Sequence, residues 1–138
     1  MRDQIRMFNP ERDSEPDETM VAGALECLDG FGREFNAANP AGMDRYLHFP
    51  HYLLVGNEFI GWKAPGQMPA DFFDALRKQG WKRMVMWCRE PLLVSPDKVH
   101  FRVKYTRERE DGSAISEHEN IWIVTRKDDR WGIAFRSY

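Results

Sequence analysis

Residues 98–138 read KVHFRVKYTREREDGSAISEHENIWIVTRKDDRWGIAFRSY, and the fold is decided by how this stretch pairs with itself. Asp111-Gly112 is a strong hairpin signal, because a tight turn between strands needs residues that accept positive φ. A two-residue turn there sets Tyr105 opposite His118, Val103 opposite Asn120 and Phe101 opposite Trp122. Side chains alternate between faces along a strand, so these six share one side of a sheet. The positions between them oppose Lys104 with Glu119 and Thr106 with Glu117, the cross-strand pairs of a solvated face. A second turn at Asp128-Asp129 opposes Trp122 with Phe135, Asn120 with Ser137 and Val124 with Ile133 on the first side again. A stripe of Phe, Val, Tyr, His, Asn and Trp is too polar for a dry core and too apolar for a wet surface. That mixture suits the wall of a small-molecule pocket.

Working outward, Met20, Ala24, Leu25, Leu28, Phe31 and Phe35 recur at helical spacing from Glu18, and Asn39-Pro40 closes the segment. Gly30 and Gly32 weaken this helix, which is tolerable where a neighbour packs closely. A short helix is expected over 42–47, stopped by the proline of His48-Phe49-Pro50-His51. Tyr52–Val55, Gly56-Asn57 and Glu58–Trp62 read as a hairpin, and PADFFDALRKQG (69–80) as a third helix with proline at its start and Gly80 as its stop. Trp81–Ser95 is a long strand kinked near Pro91, and Pro96-Asp97 turns it into Val99–Glu110. Strands over 116–126 and 130–138 complete a meander. Helices followed by runs of strand mean α+β: three N-terminal helices on one face of a curved antiparallel sheet. Residues 1–17, MRDQIRMFNPERDSEPD, mix charge and proline and form an arm outside the single domain 18–138.

Composition narrows the function classes. With 138 residues and 42% hydrophobic content the chain builds one core. Charged residues make up 30% and nearly cancel to −2, which carries no footprint for nucleic acid or an anionic membrane. No segment approaches the roughly 20 apolar residues of a membrane span or forms a signal-peptide core, so a cytoplasmic protein is expected. Cys27 and Cys88 lie in apolar contexts without a CxxC, as buried thiols of a reducing compartment do.

The element order, ALECLDGFGREFNAANPAGMDRYLHFPHYLLVGNEFIGW over 24–62 and the closing RWGIAFRSY resemble the nuclear transport factor 2-like superfamily. That superfamily includes ketosteroid isomerase, scytalone dehydratase and polyketide-cyclase-like proteins. The resemblance covers residues 18–138 and implies a cone-shaped α+β domain with its site at the open mouth, between the concave sheet and the helices. The isomerase's set of a general-base aspartate with a tyrosine and a protonated acid has no complete counterpart here. His48, His51, Tyr105 and His118 share residue types with the dehydratase's histidines and tyrosine.

Two classes of function follow. In the first, a cofactor-free enzyme uses His118 as acid/base, Tyr105 as its orienter or oxyanion donor and Asn120 as a positioning group. Phe101, Val103, Trp122 and Phe135 would line the pocket, Trp122 offering a flat face to a planar ligand. His48 or His51 would reach the mouth, and Arg107 would clamp a carboxylate or else reach solvent. In the second class the polar groups only satisfy one another, and the domain binds a ligand or a partner without chemistry. Two of His48, His51 and His118 with Glu90 could make a metal set, yet no spacing demands it and no metal is expected. Ser116, Ser137 and Cys88 lack the context of a nucleophile, and Gly30, Gly32 and Gly42 lack that of a phosphate loop. On the opposite face Ile121, Ile123 and Ala134 form an apolar strip rimmed by Arg102, Lys104, Glu117, Glu119 and Arg136. That pattern reads as a homodimer interface, or as the seat of Ile5, Met7 and Phe8 of the arm.

Overall fold

The computed structural model describes residues 18–138; the arm, with Ile5, Met7 and Phe8, lies outside that range. The chain order is α1 (Glu18–Asn36), α2 (Pro40–Asp44), β1 (Leu47–Val55), β2 (Glu58–Trp62), α3 (Phe72–Lys78), β3 (Arg83–Ser95), β4 (Lys98–Glu108), β5 (Ala114–Lys127) and β6 (Arg130–Ser137). The fold is α+β, with two corrections to the expected arrangement. The element order is the expected one, helix, short helix, hairpin, helix and then four strands, but only α1 is long. The sheet is mixed: its order is β2-β1-β6-β5-β4-β3, and β1 runs parallel to β6 while every other pair is antiparallel. A parallel neighbour needs a long connection, and here everything from β2 to β5 lies between the two strands in the chain.

The β4–β5 register is the expected one: Tyr105 opposes His118, Val103 opposes Asn120 and Phe101 opposes Trp122. The turn that produces it differs. Arg109 N donates to Ser113 O at 2.9 Å, so the loop is Glu110-Asp111-Gly112, with Gly112 at φ 85. An extra residue in β5 at Ile115, where the pairing shifts, then restores the parity of a two-residue turn. At the other hairpin Asp128 and Asp129 have φ 55 and 57, the two left-handed positions of a tight primed turn.

Burial separates the faces. Ala24, Leu28, Phe31 and Phe35 of α1 are buried against Phe101, Val103, Trp122, Val124 and Ile133. We call this the inner face. Three glycines let α1 approach this closely. A methyl at Gly30 would lie 2.1 Å from the Tyr46 ring, one at Gly23 2.5 Å from Trp131 and one at Gly32 3.0 Å from Met86. The end of α1 also seals a sheet edge, since Asn36 Nδ2 donates to Met84 O at 3.0 Å and Met84 N donates to Asn36 Oδ1 at 2.7 Å. Next along the chain, Asn39 caps α2, accepting from Gly42 N at 3.2 Å and donating to Glu34 at 2.9 Å.

The second half of the meander departs from expectation at one residue. Val124 opposes Ile133, but Ile123 opposes Phe135 and Trp122 opposes Arg136, so Ala134 is a one-residue bulge. Phe135 therefore stands on the outer face, where its ring meets Phe59, and Arg136 turns inward.

Gly30→Ala should lower stability by about 1–3 kcal/mol, because overpacking against Tyr46 outweighs the gain of about 1 kcal/mol in helix propensity. The urea midpoint of the variant against the parent measures it.

Candidate functional site

The inner face grades from dry to polar along β4 and β5. Phe101 and Val103 are fully buried in the core, beneath α1. They are packing residues, not an open wall, because α1 occupies the space a ligand would need. Trp122 is buried beside them with Phe31 edge-on at 5.5 Å, and its Nε1 has no hydrogen-bond partner among the described residues.

Two residues further along, Asn120 Nδ2 donates to the Tyr105 hydroxyl at 3.2 Å, and both are buried. His118 is half-buried, and its ring stacks on Tyr105 with centroids 4.7 Å apart and planes 12° from parallel. Stacking replaces the hydrogen bond expected between these two. The orienter of His118 is instead Ser116, whose Oγ lies 2.8 Å from Nε2. Burial, with Arg107 adding to it, lowers the His118 pKa and favours the neutral imidazole. Burial first and Tyr138 second raise that of Tyr105, which keeps its proton. Arg107 is half-buried, and its Nε has no partner among the described residues.

The residue that sequence reasoning missed is Arg136. It is 5% exposed and opposes Trp122 on the inner face. Its guanidinium carbon lies 5.2 Å from the Phe31 ring centre, 5.7 Å from Trp122, and 5.8 Å from both Trp62 and Tyr138. Four aromatic faces around one cation are a favourable, weakly hydrated setting. Its Nε donates to His51 Nε2 at 3.1 Å and Nη1 to the Tyr138 hydroxyl at 3.0 Å. Since His51 Nε2 accepts, its Nδ1 carries the hydrogen and donates to Ile133 O at 2.8 Å. Complete burial, with Arg136 adding to it, holds the His51 pKa down to about 3, so this imidazole is a neutral acceptor for the cation. The closing Arg-Ser of the strand was visible in sequence; the bulge that turns Arg136 inward was not.

His48 stands apart from this group. It packs over bare Gly132, where a Cβ would lie 2.8 Å from its ring, and its Nδ1 lies 2.7 Å from Thr125 Oγ1. Thr125 and Gly132 oppose each other on the outer face. Cys27 is buried, donates to Tyr46 O at 3.3 Å and has its pKa pushed up to about 12 by burial, whereas Cys88 is only half-buried. Among the described residues no three His, Cys, Asp or Glu side chains converge as metal ligands, and no helix is long and apolar enough to cross a membrane.

A model of the family described as NTF2-like protein (DUF6841) matches residues 17–136. No curated protein matches the sequence. Among solved structures, a cystatin-like-fold protein of unknown function from Nostoc punctiforme aligns with TM-score 0.70 at 12% identity, covering 89% of this chain and 92% of that one. An NTF-2 like protein of unknown function from Shewanella oneidensis gives 0.59 at 14%, covering 85% and 96%. A ketosteroid isomerase-like protein from Erwinia carotovora gives 0.62 at 13%, covering 85% and 92%. Identities this low establish a shared fold and nothing of function.

The depressed pKa of His51 predicts an acid limb of stability. The unfolded chain takes up a proton near pH 6.5 and the folded one near 3, so stability is full above 6.5 and falls as the pH drops through this window. The slope from this group is about 1.4 kcal/mol per pH unit. His51→Gln, which keeps one donor and one acceptor, should remove that slope from urea midpoints measured between pH 7.5 and 4.5.

Proposed function

The chain belongs to the NTF2-like family, and from that premise we propose that it is a small-molecule-binding domain performing acid/base chemistry. The ligand is small, partly apolar and planar, and the reaction is of isomerase, dehydratase or cyclase type. The observation that carries this reading is the triad on one stripe: Asn120 bonded to the Tyr105 oxygen at 3.2 Å, with the His118 ring stacked on Tyr105 at 4.7 Å. Asn120 occupies a lone pair of the phenol and so strengthens its O–H as a donor toward a ligand oxygen. The neutral imidazole of His118, held by Ser116, takes a proton from the adjacent carbon as charge develops on that oxygen. Arg107, beside both, stabilises the anion that forms. The steps need no cofactor, and the sheet closes around the ligand as the wall of a cone. The ketosteroid isomerase-like neighbour supports the reaction class by analogy of fold.

The second reading, a non-catalytic binding or dimeric interaction module, has its own support. Tyr105 with Asn120 and His118 with Ser116 already satisfy part of each other's hydrogen bonding. The outer face also carries a cross-strand row of Tyr52, Phe135, Ile123, His100 and Leu93, with Phe59 beside it 67% exposed. Arg102 and Glu119 pair at 3.6 Å on that face. Arg136, buried on the inner side, is unavailable to such an interface. A two-fold axis through this row would bury it, and such a dimer is compatible with either reading.

A thermal-shift screen of planar ketones and enols, followed by deuterium exchange at the carbon next to the carbonyl, tests the chemistry. His118→Asn should keep ligand affinity and slow exchange by about 10²–10⁴-fold, with Tyr105→Phe also slowing it. Exchange unchanged in His118→Asn removes the enzyme reading and leaves the binding one. For the dimer, Ile123→Glu should convert a two-chain species to a folded monomer in sedimentation. A parent chain already monomeric at micromolar concentration refutes it.

A further inference from the structure

The inner wall carries buried hydrogen-bond donors that have no acceptor among the described residues. A guanidinium has five N–H groups, and Arg136 uses two of them, toward His51 and Tyr138. Trp122 Nε1, on the residue directly across the strand pair, has no partner among the described residues, and neither does Arg107 Nε further along the same face. The ion pairs of the described residues engage Arg45, Arg77, Arg83, Arg89 and Arg102; Arg136 and Arg107 enter none. His51, one of the two acceptors that Arg136 meets, is neutral and gives no counter-charge. Buried cations are ordinarily paired, and aromatic faces offset only part of the desolvation. What this wall lacks among the described residues is an anion.

We infer that the inner wall between β5 and β6 binds the carboxylate of a planar organic acid, with Arg136 as its counter-ion and the Trp122 indole N–H as a second donor. This deepens the proposed function and rests on it. Tyr105 lies 6.2 Å from Trp122, ring centre to ring centre, so an acid anchored at Arg136 carries its body toward the Tyr105–His118 stack. A carboxylate fits better than a phosphate ester. One guanidinium and one indole N–H match a flat monoanion, and the rings of Trp62, Trp122 and Tyr138 flank a flat ligand, whereas a tetrahedral dianion asks for more donors. The molecule carries a net charge of −2, so two half-buried or buried arginines on this one face, neither in an ion pair among the described residues, make a local positive site inside an acidic protein.

Calorimetric titration of the full chain with benzoate and cinnamate, with their neutral amides, and with inorganic phosphate tests this. The acids should bind about tenfold or more tighter than the amides, as expected for a hydrogen bond to a charged group. Arg136→Gln should abolish that preference. Because Arg136 also holds four rings together, Trp122→Phe serves as the second variant: it keeps an aromatic ring at the position while removing the N–H, and should weaken the acids more than the amides. Amides binding as well as acids would overturn the anion site while leaving the inner-wall reading intact. Binding of neither overturns both. A preference lost in Arg107→Gln but kept in Arg136→Gln overturns the location, and phosphate binding above the acids overturns the class. Binding that emerges only when Glu11, Asp13, Glu15 and Asp17 are changed to their amides would make the chain's own first residues the acceptor, and would overturn the proposal too.

Discussion

One extra residue in β6 decides what the inner wall is made of. Pairing between β5 and β6 is in step up to Val124 and Ile133 and slips by one beyond it, leaving Ala134 as a bulge. Because side chains alternate strictly along a strand, a slip of one residue exchanges the faces of everything after it. Phe135 goes out against Phe59, and Arg136 comes in among Phe31, Trp62, Trp122 and Tyr138. A buried, unpaired guanidinium costs several kcal/mol in desolvation. The surroundings are arranged around that cost: four ring faces, a hydroxyl, and an imidazole kept neutral so that it can accept.

The packing of α1 determines how much of the sheet remains for chemistry. Glycines at 23, 30 and 32 bring the helix close enough that Phe101, Val103 and Val124 are fully buried. The dry half of the sheet is therefore core in the ordinary sense. Toward the β4–β5 hairpin the same face leaves His118 and Arg107 half-buried and places polar groups in reach of one another. A stripe that looked uniform as a pattern is thus two regions with different work, separated by where the helix lies.

Protonation follows from the same geometry. Burial beside arginines lowers the pKa of His51 and His118, and burial raises that of Tyr105, so each is held in its neutral form near neutral pH. The inner face therefore combines neutral donors and acceptors with two cations. That asymmetry is a property of placement, since the chain as a whole has slightly more acidic than basic side chains.

The sequence by itself determined the element order, the α+β class and the register of β4 with β5. Alternation and turn chemistry are local, and an odd loop at Glu110-Asp111-Gly112 was cancelled by a bulge at Ile115. Residue types and parity likewise put Tyr105, His118, Asn120 and Trp122 on one face. What only the tertiary structure decided was the neighbour of each group. The parallel contact of β1 with β6 brings His51 to Arg136 across 85 residues of chain. The bulge at Ala134 has no marker in composition, because Ala-Phe-Arg fits either phase of a strand. Its setting is the packing of α1 on the sheet and the pairing of β6 with β1, contacts between segments far apart in the chain that no local pattern contains.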